Sequence, residues 1–177
     1  MCFLHVSGII SPRSRALKIR RSKREQSIKM KRIFYNEELC IGCGLCEIYC
    51  LVEHSRSKDI IKANRRETPK PLARVRLEVN LPSTFASRCQ HCKDPACVAA
   101  CLSGAMRKDE GTGVVTHDAE KCIGCWTCIM VCPFGAIKRD TSARKVIAKC
   151  DLCSESGTPV CVANCPNEAL VYKESPL

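Results

Sequence analysis

No stretch of this chain approaches the roughly 18 to 20 consecutive apolar residues that a membrane-crossing helix needs, so no transmembrane segment is expected. Aromatic residues are scarce, at 5% with a single Trp. A large hydrophobic core is therefore not expected, and bound metal is one source of the missing folding free energy. No secretory signal is expected either. The apolar stretch Phe3–Ile10 is short and broken by His5, Ser7 and Gly8, and the basic residues follow it instead of preceding it. Arg20-Arg21 is followed by Ser22-Lys23-Arg24, where an exported chain would begin its apolar run. Without export a disulfide scaffold is disfavoured, and a reduced cytoplasmic metal protein is the better reading.

What the chain has in excess is cysteine, 17 in 177 residues. It also carries a formal charge of +11, which at first suggests nucleic acid. Residues 1–29, however, hold eight Lys/Arg against one Glu, so +7 of the +11 sits there and +4 on the remainder. Sixteen thiolates around four cores of about +2 each would add about −8 and leave the body from residue 30 onward near −4, on cluster chemistry. No nucleic-acid partner is needed. The first 29 residues read as a basic, disordered extension or as sequence upstream of a true start at Met30. A sharper alternative is a tail that docks on a membrane or an acidic partner.

From residue 40 a repeat organises the chain. Three cysteines in a loop are followed four residues later by a fourth. The copies are Cys40, Cys43, Cys46, Cys50; Cys89, Cys92, Cys97, Cys101; Cys122, Cys125, Cys128, Cys132; and Cys150, Cys153, Cys161, Cys165. Only Cys2 falls outside them. Each third-to-fourth cysteine interval fits one helical turn, which Pro133 and Pro166 would end in the last two groups. The fold class expected is α+β, with short helices and short hairpins. Val75, Leu77 and Val79 alternate as a strand. Ala105–Lys108 with Val114–His117, and Ala136–Arg139 with Lys145–Ala148, read as hairpins, the second turning at 140–144. Residues 47–60 read as a longer helix and Glu67–Leu72 as a loop.

The spacing selects the metal. Zinc uses two cysteine pairs in a tetrahedral site, where a third cysteine at the same spacing is hard to place. A cubane presents iron corners that a loop must wrap, and three closely spaced cysteines do that. Gly42, Gly44 and Gly124 lie between ligands, where a missing Cβ permits unusual backbone angles. The run of three cysteines, a fourth and a proline is that of two-cluster ferredoxins, whose fourth cysteine ligates the other cluster. Sixteen ligands then make four [4Fe-4S] sites in two exchanging pairs, and no ligand is missing. Trp126 and Phe134 are expected to pack over a cluster and limit water. His91 is expected as a donor beside the ligands, and His54 and His117 as surface or core residues. No catalytic constellation stands out, so no enzyme activity is expected of this chain alone.

The four groups resemble the four-cluster iron–sulfur subunits of molybdopterin oxidoreductases, formate dehydrogenases, hydrogenases and carbon monoxide dehydrogenase, over about residues 31–173. The Cys40-Ile-Gly-Cys43-Gly-Leu-Cys46 and Gly124-Cys125-Trp126-Thr127-Cys128 loops look most like the carbon monoxide dehydrogenase subunit. The resemblance implies tandem bacterial ferredoxin-like units in residues 30–177, with groups one and four forming one half and groups two and three the other. It implies one cluster on Cys40, Cys43, Cys46 and Cys165, and a second on Cys89, Cys92, Cys97 and Cys132. A third falls on Cys122, Cys125, Cys128 and Cys101, and a fourth on Cys150, Cys153, Cys161 and Cys50. Spacing alone leaves this pairing open. Leu51 and Leu102 stand where the family often has proline. The implied role is a wire from a catalytic subunit, carbon monoxide dehydrogenase, to a hydrogenase, flavoprotein or other acceptor. The equivalent subunit of a formate, aldehyde or molybdopterin oxidoreductase is the alternative, and a metal-stabilised binding module without redox function is the reading from another class.

Overall fold

The computed structural model describes residues 30–140 and 146–175; residues 1–29, with Cys2, and nearly all of the turn expected at 140–144 lie outside them. Strand β1 (Met30–Tyr35) pairs antiparallel with the last strand, β8 (Leu170–Ser175), from Met30↔Ser175 to Tyr35↔Leu170. This pair ties the start of the described chain to its end. Between them, β2 (Arg76–Asn80) pairs with β3 (Ser83–Ser87), β4 (Met106–Lys108) with β5 (Val115–His117), and β6 (Lys138–Arg139) with β7 (Ile147–Ala148). Every sheet among the described residues has two strands.

The five α-helices among the described residues are short: α1 (Leu45–Glu53), α2 (Ile60–Arg65), α3 (Ala96–Ala99), α4 (Thr127–Met130) and α5 (Val160–Ala163). Four of them carry the third cysteine of a group, and the fourth cysteine lies one turn on, as the spacing predicts. Helices α4 and α5 stop before Pro133 and Pro166. In group one, where Leu51 replaces the proline, α1 runs on to Glu53. Helix α3 ends at Ala99 although Leu102 offers no block.

The helix expected over 47–60 is two helices with a break. Ser55 Oγ donates to Val52 O at 2.6 Å and accepts from Lys58 N at 3.0 Å. Such local side-chain bonds compete with the helical ladder. Asp59 then restarts the chain by accepting from Lys62 N at 2.8 Å, an ordinary N-cap.

Two small cores result. One joins Ile33, Cys46, Cys50, Val75, Ala86, Leu152, Cys161 and Leu170. The other joins Met106, Val115, Cys128, Ile137 and Ile147, with Cys97, Cys101 and Cys132 packed against it. Groups one and four share the first core, and groups two and three the second.

Candidate metal centres

The loop around Cys40, Cys43 and Cys46 turns through Gly42 at φ 69° and Gly44 at φ 76°. Both lie in the left-handed region, where glycine carries no Cβ penalty. Gly44 is the N-cap of α1, which places Cys46 and Cys50 one turn apart, both buried. In group three the equivalent N-cap is Trp126, held at φ 57°.

Three cavities open beneath these loops. The first is lined by Cys40, Cys43, Cys46 and Cys165, with Tyr35 and Leu170 in its wall. A second is lined by Cys101, Cys122, Cys125 and Cys128, with Trp126 and His117. A third is lined by Cys89, Cys92, Cys97 and Cys132, with Phe134. In each, three cysteines come from one group and the fourth from another.

Of the remaining four, Cys50 and Cys161 lie in the first core, Cys150 packs against it, and Cys153 is buried. Burial pushes the Cys161 thiol up, and Cys150, Cys50 and Cys153 add to the shift because each would be a like charge at short range. The same cause lifts Cys150 to about 12, where Cys50 and Cys89 contribute against the favourable Lys149. Burial likewise holds Cys46 and Cys128 up at about 11, with Cys97 among the cysteines acting on Cys128. The quartets therefore follow a spatial order. Helices α1 and α5 link the Cys40 quartet to the Cys150 quartet, Cys150 lies within electrostatic range of Cys89 of the third, and Cys97 packs against the core that holds Cys128 of the last. Only Cys43 and Cys125 among the described cysteines are exposed, and they belong to the two end quartets.

The donor sets fit an iron–sulfur cubane. Three of them line one cavity each, and the most buried thiols, such as Cys150 and Cys161, gather negative charge only when a cation core neutralises it. Backbone N–H groups already point at ligand sulfur: Arg74 N reaches Cys50 Sγ at 3.2 Å, and Met106 N reaches Cys101 Sγ at 3.4 Å.

Trp126 and Phe134 stand in cavity walls, as expected, and the Arg139 guanidinium lies 3.7 Å from the Trp126 ring centroid. His91 is buried; its Nδ1 accepts from Val115 N at 3.0 Å, and burial, with Lys149 adding, drives it down to about 3, so it is neutral. The sequence reading gave His54 no part in the site, yet its Nδ1 lies 3.7 Å from Cys50 Sγ and its Nε2 3.4 Å from Asp151 Oδ1. Burial pulls its pKa down, but Asp151 and Cys50 outweigh that and hold it up at about 9. Arg74 also pairs with Asp151. His117, half-buried, lines the cavity of Cys122. Arg88 and Lys149, both buried, were not foreseen either; the available signal was that each immediately precedes the first cysteine of its group.

A chain built of short helices, paired strands and cysteine quartets defines an iron–sulfur electron-transfer protein. The profile of the 4Fe-4S dicluster domain matches residues 82–175, and that of a 4Fe-4S binding domain matches 37–53. The chain belongs to this 4Fe-4S dicluster family. It is 36% identical over 148 residues to the electron transport protein HydN of Escherichia coli, covering 75% of this chain and 81% of that one. It is 34% identical over 153 residues to an iron-sulfur protein of Rhodospirillum rubrum, covering 78% and 79%. The thiosulfate reductase electron transfer subunit PhsB of Salmonella typhi is 29% identical, over 79% of this chain and 73% of that protein. The chain is thus a non-catalytic electron-transfer subunit that binds 4Fe-4S clusters. No helix among the described residues is long and apolar enough to cross a membrane.

Proposed function

We propose that residues 30–177 form tandem ferredoxin-like units holding four [4Fe-4S] clusters, in the cytoplasm, and that they carry electrons from a catalytic subunit to an acceptor protein. The ligand sets are Cys40, Cys43, Cys46, Cys165; Cys89, Cys92, Cys97, Cys132; Cys122, Cys125, Cys128, Cys101; and Cys150, Cys153, Cys161, Cys50. The supporting observation is that three cavities are each lined by one such set, three cysteines from one group and the fourth from another. A bound cluster supplies one-electron chemistry between two oxidation levels. The chain's own part is to hold each core, to keep water from it with side chains such as Trp126, and to set its potential through N–H donors and nearby charge.

The donor is carbon monoxide dehydrogenase and the acceptor a hydrogenase or flavoprotein, on the likeness of the Cys40–Cys46 and Gly124–Cys128 loops. The test is anaerobic purification with its neighbouring-gene partners. Iron and sulfide are expected near sixteen of each per chain, at four per cluster. A value near eight refutes the four-cluster reading. Co-purification with a formate, aldehyde or molybdopterin enzyme in place of carbon monoxide dehydrogenase reassigns the donor. Iron bound without any dithionite-bleachable absorption would leave only the non-redox binding module.

A further inference from the structure

Arg88 and Lys149 occupy one position in the repeat, immediately before Cys89 and Cys150. Groups one and three have Leu39 and Lys121 there; Leu39 is 45% exposed, and Lys121 is exposed and paired with Asp118 at 3.3 Å. Arg88 is 3% exposed and Lys149 5%. A buried cation is costly unless an anion faces it. Among the described residues neither forms an ion pair with a carboxylate. Their hydrogen bonds run to backbone carbonyls: Arg88 to Ala86 O at 3.3 Å and to Ile33 O, Lys149 to Val115 O at 2.5 Å and Cys150 O at 2.7 Å. Asp151, the nearby carboxylate, is committed to Arg74 and His54.

The surroundings of both cations belong to the two inner quartets. Arg88 precedes Cys89 and bonds Ala86 O and Ile33 O, two residues of the core that holds Cys161. Lys149 bonds Cys150 O and Val115 O, and Val115 lines the cavity of Cys89, Cys92, Cys97 and Cys132. The thiols on which they act, Cys89, Cys97, Cys150 and Cys161, are in the same two quartets.

Resting on the four-cluster reading above, we propose that Arg88 and Lys149 form a buried cationic bridge that raises the reduction potentials of the two inner clusters over those of the two end clusters. Reduction adds one electron, supplied by the redox partner, and one negative charge to a site, with no bond made or broken. A fixed positive charge in a low-dielectric interior stabilises that added charge. The inner pair then stores electrons while the end pair exchanges them with partners.

The test is a redox titration followed by paramagnetic resonance on the purified chain, after iron counting has shown four clusters. Lys149→Gln keeps an amide to reach the carbonyls but removes the charge. Two of four clusters should become about tenfold harder to reduce, ~59 mV for a one-electron couple, and the other two should hold. Lys149→Arg should restore the wild-type pattern, and Lys121→Gln should move nothing. Full iron with four unmoved potentials in Lys149→Gln overturns the proposal. Should Lys149→Gln fail to load, loading by Lys149→Arg supports a requirement for charge, and failure of both variants overturns it. A wild-type chain without four clusters would instead defeat the functional reading beneath.

Discussion

The backbone N–H of Arg74 donates to the Sγ of Cys50 at 3.2 Å, while its guanidinium pairs with Asp151 beside Cys150. One residue thus ties the last cysteine of group one to the loop of group four. Asp151 Oδ1 also accepts from Cys153 N at 3.0 Å and meets His54 at 3.4 Å. Asp151→Asn should therefore loosen this quartet. The carboxylate is partly exposed, so screening limits the loss to about 1 kcal/mol. That is roughly a fivefold faster release of iron to a chelator on the same scale. An unchanged release rate would show that the ion pair does not support the site.

The crossed ligand sets make a sharper prediction. Cys165→Ser should damage the site of Cys40, not that of its own neighbours Cys150 and Cys153. Substitutions within one site are not additive, whereas those in separate sites are. Cys165→Ser with Cys40→Ser should lose about as much iron as either alone, near four per chain at four irons per cluster. Cys165→Ser with Cys150→Ser should lose about twice that. The reverse pattern in iron analysis would mean that each group keeps its own fourth cysteine.

Trp126 covers the cavity of Cys101, Cys122, Cys125 and Cys128 with Arg139 stacked on its ring. Trp126→Ala should admit water and oxygen to this one site. About a quarter of the iron should then be lost first in air, with the other three sites following at the wild-type rate. The lost stacking contributes about 0.5–1 kcal/mol. Trp126→Phe should restore most of the protection, which separates coverage from any special role of the indole.

Much of this was legible in the sequence because cysteine spacing is a local signal. The four groups, the turn from each third to fourth cysteine, and the two hairpins around 106–117 and 138–148 follow from spacing, Gly and Pro. The β1–β8 pair was hidden, since Met30–Tyr35 buries only its first and fourth residues and alternation fails. Ser83–Ser87 was hidden too, because Ser and Thr dominate it and only its partner β2 carries an apolar pattern. The break after Glu53 depends on Ser55 bonding to its own turn, which competes with a helix that composition favours. His54 and Asp151 are 97 residues apart in the chain, and no one-dimensional pattern joins them. Arg88 and Lys149 were visible by position but not by burial.

Removal of the metal should unfold the chain. The longest helix among the described residues has nine residues and the others four to six. Isolated helices shorter than about 12–15 residues are marginal in water. The sheets have two strands each, and an isolated two-stranded pair is also marginal. Both cores include cysteines whose sulfur would be bound to iron, so stripping the clusters removes the link between elements distant in sequence. Arg88 and Lys149 would also lose the negative charge that faces them, which leaves two buried cations uncompensated. Chelation under anaerobic conditions should abolish the far-ultraviolet helical signal and open the chain to protease within the same time course as iron loss. Retention of a protease-resistant fold after full iron removal would show that the apolar cores suffice alone. Reconstitution with iron and sulfide should restore the signal, since the free energy of binding is here the free energy of folding.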